Sequence, residues 1–356
     1  MKIIHVVESF AGGVLQFLVN LTNGLPMYQH VIIHGKREDT PKNYEDFFPK
    51  STKFYSWNNA AREINCCRDL LALIELHRLL KQLGDVRVLH LHSSKAGFLG
   101  RVVAKVNGCE AKVVYTPHGL SFARQDISKH KKTMFICLEC FAAFLGGTTV
   151  ACSESERDEL MLHKINSIFV NNGVQCKEIA CIKGNNQITI GTVGRIAFQK
   201  NPELFNGIAF LLRNHKNVKF LWIGDGELRH VLSSENIEVT GWLTQQEVEQ
   251  LLGTIDIYIS TSLWEGLPLS VLQAMVAGLP LVLSDCIGNR DLVVQDFNGY
   301  IYITAKSATS YLLNLINDDN LRTKMAEASR ELVCEKFSLE EMCKGYERIY
   351  SDCSKS

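Results

Sequence analysis

Short apolar segments alternate with amphipathic helical ones along this chain, and the alternation runs through twice. The segments Ile3–Val7, His30–His34, Lys53–Trp57, Val86–His92, Lys112–Thr116, Thr149–Ser153 and Ile168–Asn171 read as strands of a first series. Helices such as Arg68–Gln82 and Lys95–Val106 fall between them. A second series follows in Ile188–Val193, Val218–Ile223, Glu238–Thr240, Ile255–Ser260, Leu281–Ser284 and Gly299–Ile303. A strand reaches a parallel neighbour only through a crossover long enough to hold a helix, so the pattern specifies parallel α/β sheets. Two series mean two sheets, and 356 residues exceed what one core usually supports. The expected fold is therefore α/β, with two facing doubly wound, Rossmann-like domains over residues 1–182 and 188–337 and a cleft between them. The polar stretch Lys183-Gly184-Asn185-Asn186-Gln187 is the expected linker. Ser338, three residues before Glu341, carries a capping-box signature for a last helix over residues 338–353.

Sheets of this kind take ligands beyond the carboxyl ends of their strands, so the loops after strands carry the functional signal. In the second series, Val193-Gly194-Arg195 leads to Lys200-Asn201-Pro202, where Asn201 can cap a helix that opens on Pro202. Arg195 offers a planar fork of donors and Lys200 a movable point charge, which suits a diphosphate; two solvated loop cations fit the same pattern. Gly224-Asp225-Gly226-Glu227 follows a strand directly, which favours a tight turn over a metal-binding Asp-x-Glu. Thr240-Gly241-Trp242 ends another strand, where backbone groups can read the edge of a base. The segment Glu265-Gly266-Leu267-Pro268-Leu269-Ser270 turns into a helix start, and its unpaired amides near Leu269 and Ser270 form an anion site. An acid beside such a site points to sugar hydroxyls; capping of the helix by Glu265 is the plainer alternative. Gln273 lies about one turn further along that helix.

In the first series, Gly12-Gly13 follows the first strand without the spacing of a dinucleotide fingerprint, which disfavours a nicotinamide oxidoreductase. Paired glycines still let backbone approach a phosphate or sugar. Thr116-Pro117-His118-Gly119 places His118 at a strand's end.

Charge and composition bound the rest. Residues 1–175 hold 21 Lys plus Arg against 16 Asp plus Glu, and the remainder 17 against 22, so a neutral chain has a basic first half. That half suits an anionic partner, and chance surface variation explains it equally. Lys129, His130, Lys131 and Lys132, with Arg124 nearby, form a patch that either docks on anionic lipid or is simply solvated. No nucleic-acid partner is expected. The most apolar stretch, Thr133–Leu145, is too short to span a membrane and reads as a buried helix, with Cys137 and Cys140 packed in a core. Twelve cysteines without regular spacing, behind a start that enters a strand directly, are expected to be reduced thiols of a cytoplasmic protein.

Taken in order, Gly12-Gly13-Val14, Thr116-Pro117-His118-Gly119, Asn172-Gly173-Val174, Gly194-Arg195 with Lys200, Gly224-Asp225-Gly226 and Glu265-Gly266-Leu267-Pro268 resemble glycosyltransferase family 4, retaining enzymes with the GT-B fold. His90-Leu91-His92-Ser93-Ser94-Lys95-Ala96-Gly97 and Gly288-Asn289-Arg290-Asp291-Leu292-Val293 further resemble the branch that builds bacterial capsules and O-antigens. The resemblance implies a nucleotide diphosphate sugar as donor, a UDP-sugar being expected, and a lipid-linked saccharide as acceptor at a membrane surface. Donor contacts fall on Gly12, Gly13, Arg195, Lys200, Gly224, Gly241, Leu269, Ser270 and Gln273. Arg195 and Lys200 would stabilise the leaving diphosphate without a metal or other cofactor, and Glu265 and His118 would hold the sugar. The last helix would return to the first domain. Where the family has a second glutamate eight positions after the first, this chain has Gln273, which keeps an acceptor and loses the charge. Weaker donor binding is expected from that. Two other readings stay open: a nucleotide-sugar epimerase on the same fold, and a non-catalytic nucleotide-sugar-binding subunit that Gln273 would mark.

Overall fold

The computed structural model describes every residue except 38, 62, 110–111, 178, 180–186 and 356, together with the side chains of 354–355. The expected linker at 183–187 lies outside the described residues but for Gln187. The chain forms two compact units: residues 1–123, 127–173 and 339–356, and residues 124–126 with 174–338. The division falls at Gly173, earlier than the expected 182. Val174 donates its amide to the Phe337 carbonyl at 3.0 Å and bridges to Ser338, which draws the following residues into the second unit.

The first unit contains β1 (Lys2–Val7), α1 (Gly12–Gly24), β2 (Gln29–His34), β3 (Lys53–Ser56), α2 (Cys66–Leu83), β4 (Val88–His92), α3 (Ser94–Val106), β5 (Val113–Thr116), α4 (Lys129–Phe144), β6 (Thr148–Ala151), α5 (Glu154–Leu162) and β7 (Ser167–Phe169). Its sheet is parallel, in the order β3-β2-β1-β4-β5-β6-β7. Alternate residues of β1 supply both faces. Ile4 and Val6 meet α2 and α3 through Leu76, Leu80, Leu99 and Val103, while Ile3 and Val7 meet α1 through Phe17, Leu18 and Leu21.

The second unit contains β8 (Ile188–Val193), α6 (Pro202–Leu211), β9 (Val218–Ile223), β10 (Ile237–Val239), α7 (Gln245–Leu252), β11 (Ile257–Ser260), α8 (Leu269–Val276), β12 (Leu281–Ser284), β13 (Gly299–Tyr302), α9 (Ala305–Asn317) and α10 (Asp319–Lys336). Its parallel sheet runs β10-β9-β8-β11-β12-β13. Ile190, Phe220, Trp222, Ile257 and Val282 pack under Phe205 and Ile208 of α6 and Leu312 and Leu315 of α9.

The last helix, α11 (Leu339–Lys355), belongs to the first unit. Met342, Tyr346, Ile349 and Tyr350 enter the same core as α1. Each such side chain contributes about 2 kcal/mol by leaving water. The tyrosine hydroxyls find partners, Tyr350 at His90 Nδ1 (2.7 Å) and Tyr346 at Thr116 Oγ1 (3.1 Å).

The helix expected to be buried around Thr133–Leu145 is instead a surface helix. In α4 only Glu139 and Ala142 are buried, while Met134, Phe141 and Phe144 face outward. Cys137 is exposed rather than packed in a core, and Cys140 is half-buried with its thiol at the His163 carbonyl. Lys129, His130, Lys131 and Lys132 are all exposed at the start of this helix. Among the described residues no helix is long and apolar enough to cross a membrane.

Candidate active site

In the second unit the strand order reverses between β8 and β11, and the loops beyond their carboxyl ends are laced together. Leu263 donates its amide to Gln199 O (2.8 Å), Gln199 donates to Trp264 O (2.8 Å), and Thr261 donates its hydroxyl to Lys200 O (2.6 Å). The result brings Lys200 Nζ to Glu265 Oε1 at 2.7 Å. Asn201 makes this possible: at φ 50° it turns the chain sharply, and its side chain accepts from Leu204 N to cap α6. The side chains of Lys200 and Glu265 are 20% and 10% exposed, so the pair is largely but not wholly withdrawn from water. Burial works to lower the Lys200 pKa, and the facing carboxylate overcomes it, leaving a net upward shift. Glu265 is thus not a helix cap; it neutralises Lys200.

Two glycines bring the surrounding backbone close. A Cβ on Gly224 would sit 2.2 Å from Gly194 O, so the turns after β8 and β9 touch only because it is absent. Gly288, at φ 81°, does the same against Gly266 O at 2.3 Å, beneath the loop that carries Glu265. Gly241 bridges to Gly224, which places the end of β10 beside the same turns, with Trp242 mostly exposed next to it. Beneath the Glu265 loop, Asn289 donates to Ser284 O (3.0 Å), and Ser284 donates to Ser262 O (2.6 Å).

Helix α8 starts without a side-chain cap. Among the described residues the amides of Leu269 and Ser270 have no acceptor, and both residues are partly exposed. A helix start with free donors close in sequence to a Lys–Glu pair can hold an anion while the acid takes hydroxyl groups. Gln273 is partly exposed on α8, and its side chain makes no hydrogen bond among the described contacts. Arg195 has a different partner from Lys200: its Nε meets Glu227 Oε2 at 3.0 Å, with both side chains about half exposed. The other acid of the Asp-x-Glu, Asp225, accepts from Gly226 N and from Arg229.

In the first unit Gly12 and Gly13 form the exposed start of α1, and a Cβ on either would meet nothing. His118 follows β5 at φ 55°, with Phe17 of α1 edge-on at 4.5 Å. Its ring was expected to be offered to a ligand. Instead Nε2 lies 2.9 Å from His92 Nδ1 and Nδ1 lies 3.5 Å from Cys152 Sγ, so both nitrogens are engaged internally. Burial pushes its pKa down to about 3, leaving a neutral ring. Gln199 and Cys152 were not singled out in the sequence, and Asn289 was named only within the Gly288–Val293 motif, because each acts through loops that only the folded sheet brings side by side.

Residues 181–332 match the family described as glycosyl transferases group 1. The chain is 28% identical, over 99% of its length and 97% of the relative's, to the UDP-Gal:alpha-D-GlcNAc-diphosphoundecaprenol alpha-1,3-galactosyltransferase of Escherichia coli. It is 23% identical to the capsular polysaccharide biosynthesis glycosyltransferase CapM of Staphylococcus aureus, over 94% of this chain and 96% of that one. Among solved structures, sucrose-phosphate synthase from Thermosynechococcus elongatus superposes with a TM-score of 0.84 at 14% identity, covering 99% of this chain and 98% of that one. Anabaena HepE in complex with UDP and glucose superposes at 0.77 with 13% identity, covering 99% of both chains. Two parallel α/β units, these relatives and the matched second unit agree: the chain is a glycosyltransferase with the GT-B fold, and its residues 181–332 match the glycosyl transferases group 1.

Proposed function

We propose that this chain is a retaining family 4 enzyme that moves a sugar from a UDP-sugar to a lipid-linked saccharide during capsule or O-antigen assembly, on the cytoplasmic face of a membrane. The observation that carries the reading is the Lys200–Glu265 pair at the reversal of strand order, in the unit that also holds the uncapped start of α8. The diphosphate would sit on the amides of Leu269 and Ser270 and share the three donors of Lys200, with Arg195 recruited from Glu227. Fixed positive groups of this kind stabilise charge as it develops on a leaving oxygen, and the reading needs no metal. Once the diphosphate shares Lys200, Glu265 gains acceptor capacity for sugar hydroxyls. The phosphate oxygen left behind would take the acceptor's proton on the same face. Gly224 and Gly241 would leave room for the base and ribose.

Support for the donor and acceptor comes from the Escherichia coli relative, which is named for UDP-Gal and a diphosphoundecaprenol-linked GlcNAc. Support for a membrane surface comes from α4, where exposed Lys129, Lys131 and Lys132 precede exposed Met134, Phe141 and Phe144. Basic residues near anionic lipid are worth up to about 1 kcal/mol each.

One assay tests the reading. The protein is offered UDP-, GDP- and ADP-sugars with a polyprenyl-diphosphate saccharide embedded in anionic vesicles. Transfer from a UDP-sugar with retained anomeric configuration is expected, and changing Lys129, Lys131 and Lys132 together to Ser should raise the apparent KM for the embedded acceptor. Transfer only from a GDP- or ADP-sugar, or a rearranged sugar released without acceptor, would sink it.

A further inference from the structure

Five histidines of the first unit are buried, and three of them join His118 in a single hydrogen-bonded line. His30 Nε2 lies 2.9 Å from the Leu25 carbonyl oxygen, and His30 Nδ1 lies 3.1 Å from His5 Nε2. His5 Nδ1 lies 3.1 Å from His92 Nε2, and His92 Nδ1 lies 2.9 Å from His118 Nε2. The line ends where His118 Nδ1 meets Cys152 Sγ at 3.5 Å.

One end fixes the rest. A carbonyl oxygen only accepts, so His30 carries its proton on Nε2, and its Nδ1 must accept. His5 then donates through Nε2 and accepts at Nδ1. The same step repeats at His92 and at His118, which leaves the last lone pair, on His118 Nδ1, facing the Cys152 sulfur. Every ring is an Nε2–H tautomer because one backbone oxygen is an acceptor. The deduction holds for neutral rings, and burial lowers the pKa of all four. Aligned donors also polarise one another, which strengthens each link.

Two other uses of the line fail. A proton entering at Cys152 would have to leave through Leu25 O, which cannot pass it on, so the line does not conduct. His5, His90 and His92 offer nitrogens within 4.8 Å of one another, a spacing that a metal ion could bridge. The facing nitrogens of His5 and His92 are occupied by their own hydrogen bond, however. Those of His90 face the hydroxyls of Tyr350 (2.7 Å) and Thr116 (2.9 Å), and the three rings bring no carboxylate to offset a buried dication.

We propose that His30, His5 and His92 are positioning residues that hold His118 as the Nε2–H tautomer, with its Nδ1 lone pair kept against Cys152. The line thereby fixes the His118 ring, and with it the Pro117-His118-Gly119 loop, in one orientation. This rests on the glycosyl-transfer reading above. The backbone of His118 supports it: a φ of 55° is costly for a residue with a side chain, and it persists where surrounding bonds over-determine it. Here those bonds are the two at its ring, with His92 stacked on it at an interplanar angle of 15°.

The test has two arms. In the full chain labelled with 15N at histidine, at about pH 7.5 where free imidazole is neutral, His5, His30, His92 and His118 should each show a protonated Nε2 and a bare Nδ1. An Nδ1–H tautomer or an imidazolium at any of the four overturns the proposal, as does one equivalent of bound zinc in protein purified without a histidine tag. This arm needs no turnover, so it stands apart from the glycosyl-transfer reading. In the second arm, His30→Leu removes both links at the anchor, while His30→Gln keeps a donor for Leu25 O and an acceptor for His5. His30→Leu should lower kcat about tenfold with little change in KM and move the His118 proton to Nδ1, and His30→Gln should restore both. Unchanged kcat in His30→Leu, or equal losses in the two variants, overturns the positioning role. Absence of transfer by the wild type would sink the glycosyl-transfer reading and leave the tautomers to the spectra.

Discussion

The two units share one strand order around their reversal points, yet they bury opposite kinds of polar group there. Between β1 and β4 the first unit buries imidazoles, with His5 and His90 paired in register and both fully enclosed. Between β8 and β11 the second unit gathers the Lys200–Glu265 ion pair, which keeps some contact with solvent. Neutral rings can be buried completely, because hydrogen bonds within the line replace those lost to water and no charge is desolvated. An ion pair pays heavily for full burial and is more useful where a ligand can share it. The same topology thus encloses neutral rings fully in one unit and leaves an ion pair partly open to solvent in the other.

Acid should separate them most sharply. Burial lowers the pKa of His5, His30, His34, His90, His92 and His118, so between the ordinary value of 6.5 and about 3, the value reached by His118, the unfolded chain binds protons that the fold does not. Stability is therefore full above about pH 6.5 and falls as pH drops, by up to about 1.4 kcal/mol per ring per pH unit. Among the described residues the second unit buries no histidine. Hydrogen exchange at about pH 7.5 and 5.5, corrected for intrinsic rate, should show β1 and β4 opening several kcal/mol more readily while β8 and β11 change little. Equal loss in both units would break the comparison.

Lys200→Ala attacks the other side. It removes the cation proposed for the leaving diphosphate and, on that proposal, should lower kcat/KM on the order of a thousandfold, about 4 kcal/mol. It also leaves Glu265 without its cation, so β8 and β11 should exchange faster while β1 and β4 do not. A loss of less than about tenfold, read by steady-state kinetics, would make the pair structural rather than functional.

Gln273→Glu is the gentlest probe. An ionised acceptor makes a stronger hydrogen bond than an amide, so UDP-sugar affinity by calorimetry should rise by about 1 kcal/mol, roughly fivefold. The acid response of the first unit should not move. Weaker binding in this variant would place Gln273 away from the ribose.

Among the described residues, all thirteen strands were legible from the alternation of apolar runs, with ends displaced by no more than a couple of residues. Glu265, Lys200 and the start of α8 were legible as separate motifs, since each sits in a loop after a strand. Their contact was not, because it depends on β8 lying beside β11. The histidine line was hidden for the same reason. Its members lie on β1, β2, β4 and the loop after β5, and only the register of His5 opposite His90, with His92 two residues on, puts them on one face. That shared parity at a strand reversal is the signal that was available. The misreading of α4 has another cause: an apolar helix reads the same whether it faces a core or the outside of the fold, since periodicity does not say what lies across from it.

The return of α11 to the first unit bears on how the molecule is made. Residues up to 173 emerge first from the ribosome, yet their core lacks Met342, Tyr346 and Tyr350 until the whole of the second unit has been synthesised. Until then Phe17 and His90 lose the neighbours that α11 supplies, while residues 174–338 can already close their own sheet. Of the two units, the one synthesised earlier is the one that waits longer for its last core helix.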